Sequence, residues 1–377
     1  MKFQYCLRNG IRYYFYNRIC LIVIFVVQMT SCSIVGEKQM TLTTKADAVN
    51  FVTVNFYGTG TAIIDWGDRE VKTLTLSSDF SNLSDYKAFQ HNYSDTVSHS
   101  ITISGKNIMR LECLLELTSI DVSRNIALIE LACSRGQLTS IDLSRNTKLS
   151  LLSCTENQLT SLDVSKNTKL TLLDCNNNQL TSLDVSRNTK LILLDCYDNQ
   201  LTNLDVSQNI ALETLRCSNN LLTNLDISSN TMLTRLWCFG NQLTDLDVSR
   251  NTALIALGCS DNQLTNLDVS KNIELISLSC SNNQLTGIDV SKNIVLKELF
   301  CDSNQLTNLD MSKNTAIKWL DCSNNQLTAT ALNNLFKTLH DNDSKVGKIL
   351  FIGNNPGTAD CNTKIATDKG WTVKKAN

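Results

Sequence analysis

The sequence predicts a mainly β chain: a solenoid of about eleven 21-residue coils, preceded by a small β-sandwich and closed by an α/β cap. Three observations carry that fold class. Cysteine returns every 21 residues from Cys133 to Cys322, ten times without a slip, and self-similarity at a fixed period marks stacked repeats. Ahead of it, short alternating apolar stretches are separated by Gly- and Asp-rich turns, the pattern of strands. After Thr328 the period stops, and Leu332, Leu335, Phe336 and Leu339 follow helical spacing.

Composition narrows the function before any motif does. The 377 residues carry 34 Lys+Arg against 36 Asp+Glu, a net charge of −2, so no global field favours nucleic acid. Histidine occurs three times, as His91, His99 and His340, all outside the array. That removes the commonest general base and metal ligand from most of the chain. No Ser-His-Asp or Cys-His arrangement, phosphate loop, zinc spacing or carboxylate pair stands out of the repeat background. The expectation is a non-enzyme that holds no cofactor and no metal.

Residues 1–31 read as a signal peptide and 32–37 as a tether. Lys2, Arg8, Arg12 and Arg18 occur with no acid before Glu37, and Ile19 to Val27 forms a short apolar run. A transmembrane helix needs about 20 apolar residues, more than this run supplies. Met29-Thr30-Ser31-Cys32 resembles the bacterial lipobox. The resemblance implies that Cys32 is lipidated and that Cys6 and Cys20 leave with the signal. Membrane attachment then follows from the buried acyl chain, at about 0.8 kcal/mol per methylene. Ordinary secretion and an uncleaved anchor are the alternatives.

Residues 38–107 read as the β-sandwich. Met40–Thr43, Phe51–Phe56, Thr61–Trp66, Val71–Leu76 and Ser100–Ile103 alternate apolar and polar residues. Asp65-Trp66-Gly67-Asp68, with His91-Asn92-Tyr93 and Ile101-Thr102-Ile103, resembles the PKD domain, an immunoglobulin-like module of surface proteins. Arg69 stands where that family carries glycine. The resemblance implies that Trp66 fills the core. His91 is expected to be structural beside the tyrosine, and His99 to be solvated.

Residues 108–328 form the array. Each unit has two halves, Leu-x-x-Leu-x-Cys-x-x-Asn-x and Leu-x-x-Leu-Asp-Val-Ser-x-Asn-x-x. Side chains of an extended segment alternate in direction, so four leucines, the cysteine and the valine point inward. One coil cannot bury enough alone, and stacking must supply the rest. Two asparagine columns, Asn157 to Asn325 and Asn125 to Asn314, mark the corners. Stacked asparagines are expected to bond turn amides that lack a sheet partner. The near-equal halves suggest short extended segments on both sides of the coil. This grammar resembles the leucine-rich-repeat family, with cysteine in place of a core leucine. The resemblance implies a solenoid whose concave face binds partners, and the near-equal halves suggest a curvature weaker than in helix-backed horseshoes.

Three columns could carry chemistry. The cysteines read as small hydrophobes, since stacked thiols point in parallel rather than at each other. The aspartates from Asp121 to Asp310 read as turn residues beside a Lys/Arg column, with calcium as the sharper alternative. The third column set varies: Leu151, Leu172, Leu193, Tyr197, Arg216, Arg235, Trp237, Phe239, Phe300 and Trp319 flank the Leu-x-Cys strand and point outward. Aromatics and arginines are enriched in binding hot spots, and an exposed apolar stripe marks contact. These ten residues are the candidate binding face.

Residues 329–377 form the cap, with a helix started at Thr328 or Thr330, a strand over Lys348–Ile352 and a short helix before Trp371. Together these features predict a lipid-anchored surface protein that binds a protein or glycan. The resemblance to surface lipoproteins of Gram-negative anaerobes implies the outer membrane. A structural spacer without a ligand is the rival.

Overall fold

The computed structural model describes residues 39–44, 51–76, 87–114, 116–341 and 347–375. The signal peptide, Cys32 and the tether lie outside them. Strands β1 (Gln39–Thr44), β2 (Phe51–Asp65), β3 (Val71–Leu76), β4 (Lys87–Asn92) and β5 (Ser100–Leu114) build the amino-terminal module. β6 (Leu117–Asp121) opens the array, and ten strands follow at the period, from β7 (Glu130–Cys133) to β16 (Trp319–Asp321). Helix α1 (Ala329–Thr338), β17 (Lys348–Phe351), the single-turn α2 (Lys364–Thr367) and β18 (Trp371–Lys374) complete the chain.

Strand pairing runs without a break from the module into the array. β2 and β5 pair antiparallel, with register shifts near Tyr57 and Thr59. The first half of β5 pairs with β1, and its last residues, Arg110–Cys113, pair parallel with Glu130–Cys133. Position 108, where the array was expected to begin, therefore lies inside one strand shared by both parts. From β7 onward every pairing is parallel, through β17 to β18.

The coil interior follows the sequence pattern. In one unit Leu170, Leu173, Cys175, Leu180 and Val185 are fully buried, and Leu183 nearly so. Trp66 is fully buried in the module, where the Tyr93 hydroxyl donates to its carbonyl at 2.7 Å. Gly67 and Arg69 both take left-handed backbone, with φ of 82° and 80°. Asp65 and Asp68 accept from the amides of Gly67 and Glu70 to hold this turn.

The asparagines bond differently from the expectation. In the first ladder Oδ1 does accept a backbone amide, as Asn178 does from Leu159 at 3.0 Å. Its Nδ2, however, donates to carbonyls, those of Cys154, Cys175 and Asn176. In the second ladder the side chains only donate: Asn188 Nδ2 reaches Val164 O and Asn167 O at 3.0 Å each. The Oδ1 atoms from Asn125 to Asn314 are buried without a hydrogen-bond partner among the described residues.

The expected extended segment on the second side of each coil is absent from the array after β6. That half closes instead as two successive turns, Asn188 N to Val185 O and Leu191 N to Asn188 O. The next coil's asparagine then takes the Val185 and Asn188 carbonyls, through Asn209 Nδ2. Side chains thus do for this side what a strand ladder does for the other.

Candidate interaction face

The parallel strands place three outward side chains per coil on one face: the two flanking the buried strand leucine and the one after the cysteine. The residue beyond these is held in left-handed backbone in every coil from Arg135 to Asn324, with φ from 51° at Asp198 to 65° at Gly240. Asn and Asp tolerate that region better than most residues, and they fill six of these positions from Asn177 to Asn324.

The ten candidates all lie on this face, and it is less open than their chemistry suggested. Leu151, Leu172 and Leu193 stand side by side in register. Leu172, between the other two, is only 8% exposed, and its neighbours are half-buried. Phe300 is also 8% exposed and packs toward Trp319, ring centroids 6.2 Å apart. Trp319 in turn meets Phe351 of the cap at 5.4 Å. Tyr197, Arg216, Arg235, Trp237, Phe239 and Trp319 are half-buried. The exposed apolar stripe expected here lies elsewhere: Ile210, Met232, Ile273 and Ile294 are 52–62% exposed in the turn after the second asparagine ladder.

A fixed stack crosses the middle of the face. Asp174, Asp195, Arg216, Trp237 and Gly258 are consecutive in register. Arg216 Nη1 donates to Asp195 Oδ2 at 3.2 Å, and its guanidinium lies 5.0 Å from the Trp237 ring centre. A side-chain carbon on Gly258 would sit 3.0 Å from Trp237 Cδ1, so the glycine leaves the indole its place. Both carboxylates are buried. Burial and then the Asp195 charge push Asp174 well above the usual range, with Asn176 and Arg216 opposing. Burial raises Asp195 to about 6, against the pull of Arg216. Sequence reading missed this pair, though two aspartates just before successive cysteines were visible once the register was set. Alongside, Asn177 Nδ2 donates to the Tyr197 hydroxyl at 2.9 Å.

The other two columns are structural. All twelve cysteines from Cys113 to Cys361 are free and buried, and burial pushes the Cys133 and Cys217 thiols up to about 12. Each aspartate from Asp121 to Asp310 accepts from the amide of the serine two residues on, at 2.8–2.9 Å. Hydrogen bonds from those serines hold carboxyls such as Asp163 and Asp226 below the usual range. Among the described residues, no group of three or more His, Cys, Asp or Glu is placed to hold a metal. In the module His91 stacks on Trp66 at 4.9 Å and meets Asp68 Oδ2 at 2.7 Å. His99 is buried rather than solvated, because it stacks on Tyr93 at 3.7 Å and bonds Asp95 Oδ1 at 2.7 Å.

No protein-family model and no curated protein matches the chain. Among solved structures, the functional domain of InlJ from Listeria monocytogenes, described as including a cysteine ladder, is similar at 33% identity and a TM-score of 0.61. The match covers 74% of this chain and 69% of that one. A leucine-rich-repeat protein of Leptospira interrogans is 23% identical at a TM-score of 0.58, covering 67% and 74%. The internalin inlF of Listeria monocytogenes is 22% identical at 0.59, covering 71% and 87%. The last two show the fold; the first, identical at a third of positions over two thirds of its length, shows kinship as well. The chain belongs to the bacterial leucine-rich-repeat proteins.

Proposed function

We propose that this is an extracytoplasmic interaction protein, anchored by a lipid on Cys32, that binds a protein ligand through its strand face. One observation carries the reading. Coil after coil keeps its inward leucines, cysteine, asparagines and Asp-x-Ser turn, while the outward strand positions run through Leu, Asp, Arg, Trp, Gly, Ser and Phe. A scaffold so uniform, with its diversity collected on one face, is arranged for recognition rather than for chemistry. The Asp195–Arg216–Trp237 stack supports the same reading, because side chains held before binding lose less entropy when a partner docks.

The finer points rest on separate features. The buried Trp66, the turn at Asp65–Asp68 and the positive φ of Arg69 support a PKD-like module that holds the array off the surface. The lipobox-like Met29–Cys32 supports outer-membrane attachment. The near-neutral charge supports a partner other than nucleic acid.

The test is a search for binding partners with the purified chain, repeated with Tyr197→Ala and Phe239→Ala. Retained melting temperature with binding lost by tenfold or more is expected, that is about 1.4 kcal/mol or more. Unchanged binding by both variants, or no partner at all, favours a spacer. Capture of glycans alone replaces the protein ligand with a sugar. For the anchor, Cys32→Ala should move the protein from the membrane to the soluble fraction; continued membrane association would refute lipidation there.

A further inference from the structure

Two consecutive coils on the strand face carry only small outward residues. These are Ala256, Gly258 and Ser260, then Ser277, Ser279 and Ser281. The coil before them carries Arg235, Trp237 and Phe239, and the coil after them Glu298, Phe300 and Asp302. The result is a saddle across the face with a wall on either side. The walls' backbones are three strand spacings apart, about 14 Å at ~4.8 Å each. Once the wall side chains take their share, a helix of about 10–12 Å diameter does not fit; an extended segment does.

The chemistry of the saddle is directional. Ser277 Oγ donates to Glu298 Oε2 at 3.0 Å, and Ser281 Oγ donates to Asp302 Oδ1. Ser260 and Ser279 bond each other at 2.7 Å. With the Ser277 and Ser281 hydrogens turned toward the acidic wall, that side offers carboxylate and hydroxyl oxygens, all acceptors. The opposite wall holds Arg235 with the guanidinium of Arg216 behind Trp237. Among the described residues none of Arg235, Glu298 and Asp302 forms an ion pair. Charge on each wall is therefore left for a partner, basic toward one side and acidic toward the other.

We infer that this saddle receives an extended segment of the protein ligand, with a lysine or arginine side chain set against Glu298 and Asp302 and a carbonyl or carboxylate set against Arg235. Basic side chains are the donor-only groups that acceptor-lined sites select. The inference rests on the strand-face reading and adds where on that face the ligand is read and which charge is read.

A random peptide library selected on the full chain tests it. Selected peptides should be enriched in Lys or Arg and should bind Glu298→Lys/Asp302→Lys at least tenfold more weakly, and selection on that double variant should turn toward acidic peptides. Ser279→Trp, which fills the floor without changing charge, should weaken the same peptides and guards against misfolding of the double variant. Selected peptides without basic enrichment that lose affinity on Tyr197→Ala, outside the saddle, but not on Ser279→Trp would overturn the saddle and leave strand-face binding standing. Retention of glycans but of no peptide would overturn both.

Discussion

Asn220 shows how much one side chain holds. Its Oδ1 accepts from Leu201 N at 2.9 Å, and its Nδ2 reaches the carbonyls of Cys196, Cys217 and Ser218 at 3.0–3.1 Å. Asn209, in the second ladder, only donates, to Val185 O and Asn188 O. A buried amide left without an acceptor costs about 1–3 kcal/mol. Asn220→Ala should therefore destabilise by about 2–4 kcal/mol and speed hydrogen exchange at the Leu201 amide. Asn209→Ala, which also removes an unpartnered Oδ1, should cost less; equal losses in urea unfolding would refute the asymmetry. The buried acids set a second residue-scale effect. An unfolded Asp titrates near 3.9, whereas in the fold burial raises Asp195 to about 6 and pushes Asp174 well above the usual carboxylate range. Across that window the folded chain holds more protons than the unfolded one, so stability falls as pH rises. Asp174→Asn should raise stability at pH 7 and have little effect near pH 4. Thermal melts at the two pH values check it, and an equal shift at both would count against the buried charge.

At the scale of the element, the coil interior was legible from sequence and the coil's hydrogen bonding was not. Leucine, cysteine and valine at fixed spacing dictate what points inward, and those positions are buried without exception between Leu170 and Val185. The halves looked alike because both carry Leu-x-x-Leu. One becomes a strand and the other two turns, because the carbonyls of Val185 and Asn188 are taken by an asparagine one coil away, a contact that local pattern does not encode. On the strand face, residue types were legible and their exposure was not: Leu172 and Phe300 are covered by side chains of adjacent coils. The cysteine column carries its own prediction. Fully buried thiols with raised pKa react slowly, so the ladder from Cys133 to Cys322 should resist alkylation in the native chain and react in full after denaturation without reductant. A shortfall after denaturation would mean that bridges form.

At the scale of the molecule, β5 joins module and array into one sheet. The first coil is thereby covered on its open edge, with Cys113 beside Cys133 and Asn125 Nδ2 against Met40 Sδ. An uncovered edge would present unpaired amides and carbonyls to any passing strand. The module is thus an end-plate for the array. The cap does the same at the far end, and it adds Phe351 to the aromatic run that begins at Phe300.

The asparagine ladders also have a sense of travel. Each first-ladder asparagine satisfies the coil before it, as Asn178 does for Cys154 O and Leu159 N. The last repeat is finished by the cap, whose Asn355 takes Cys322 O at 2.9 Å and Leu327 N at 3.0 Å. A coil is consequently sealed only when its successor arrives. For a chain delivered amino end first, this makes assembly a ratchet, in which every new turn locks the one behind it and a chain halted midway leaves a single unsealed coil at its growing tip.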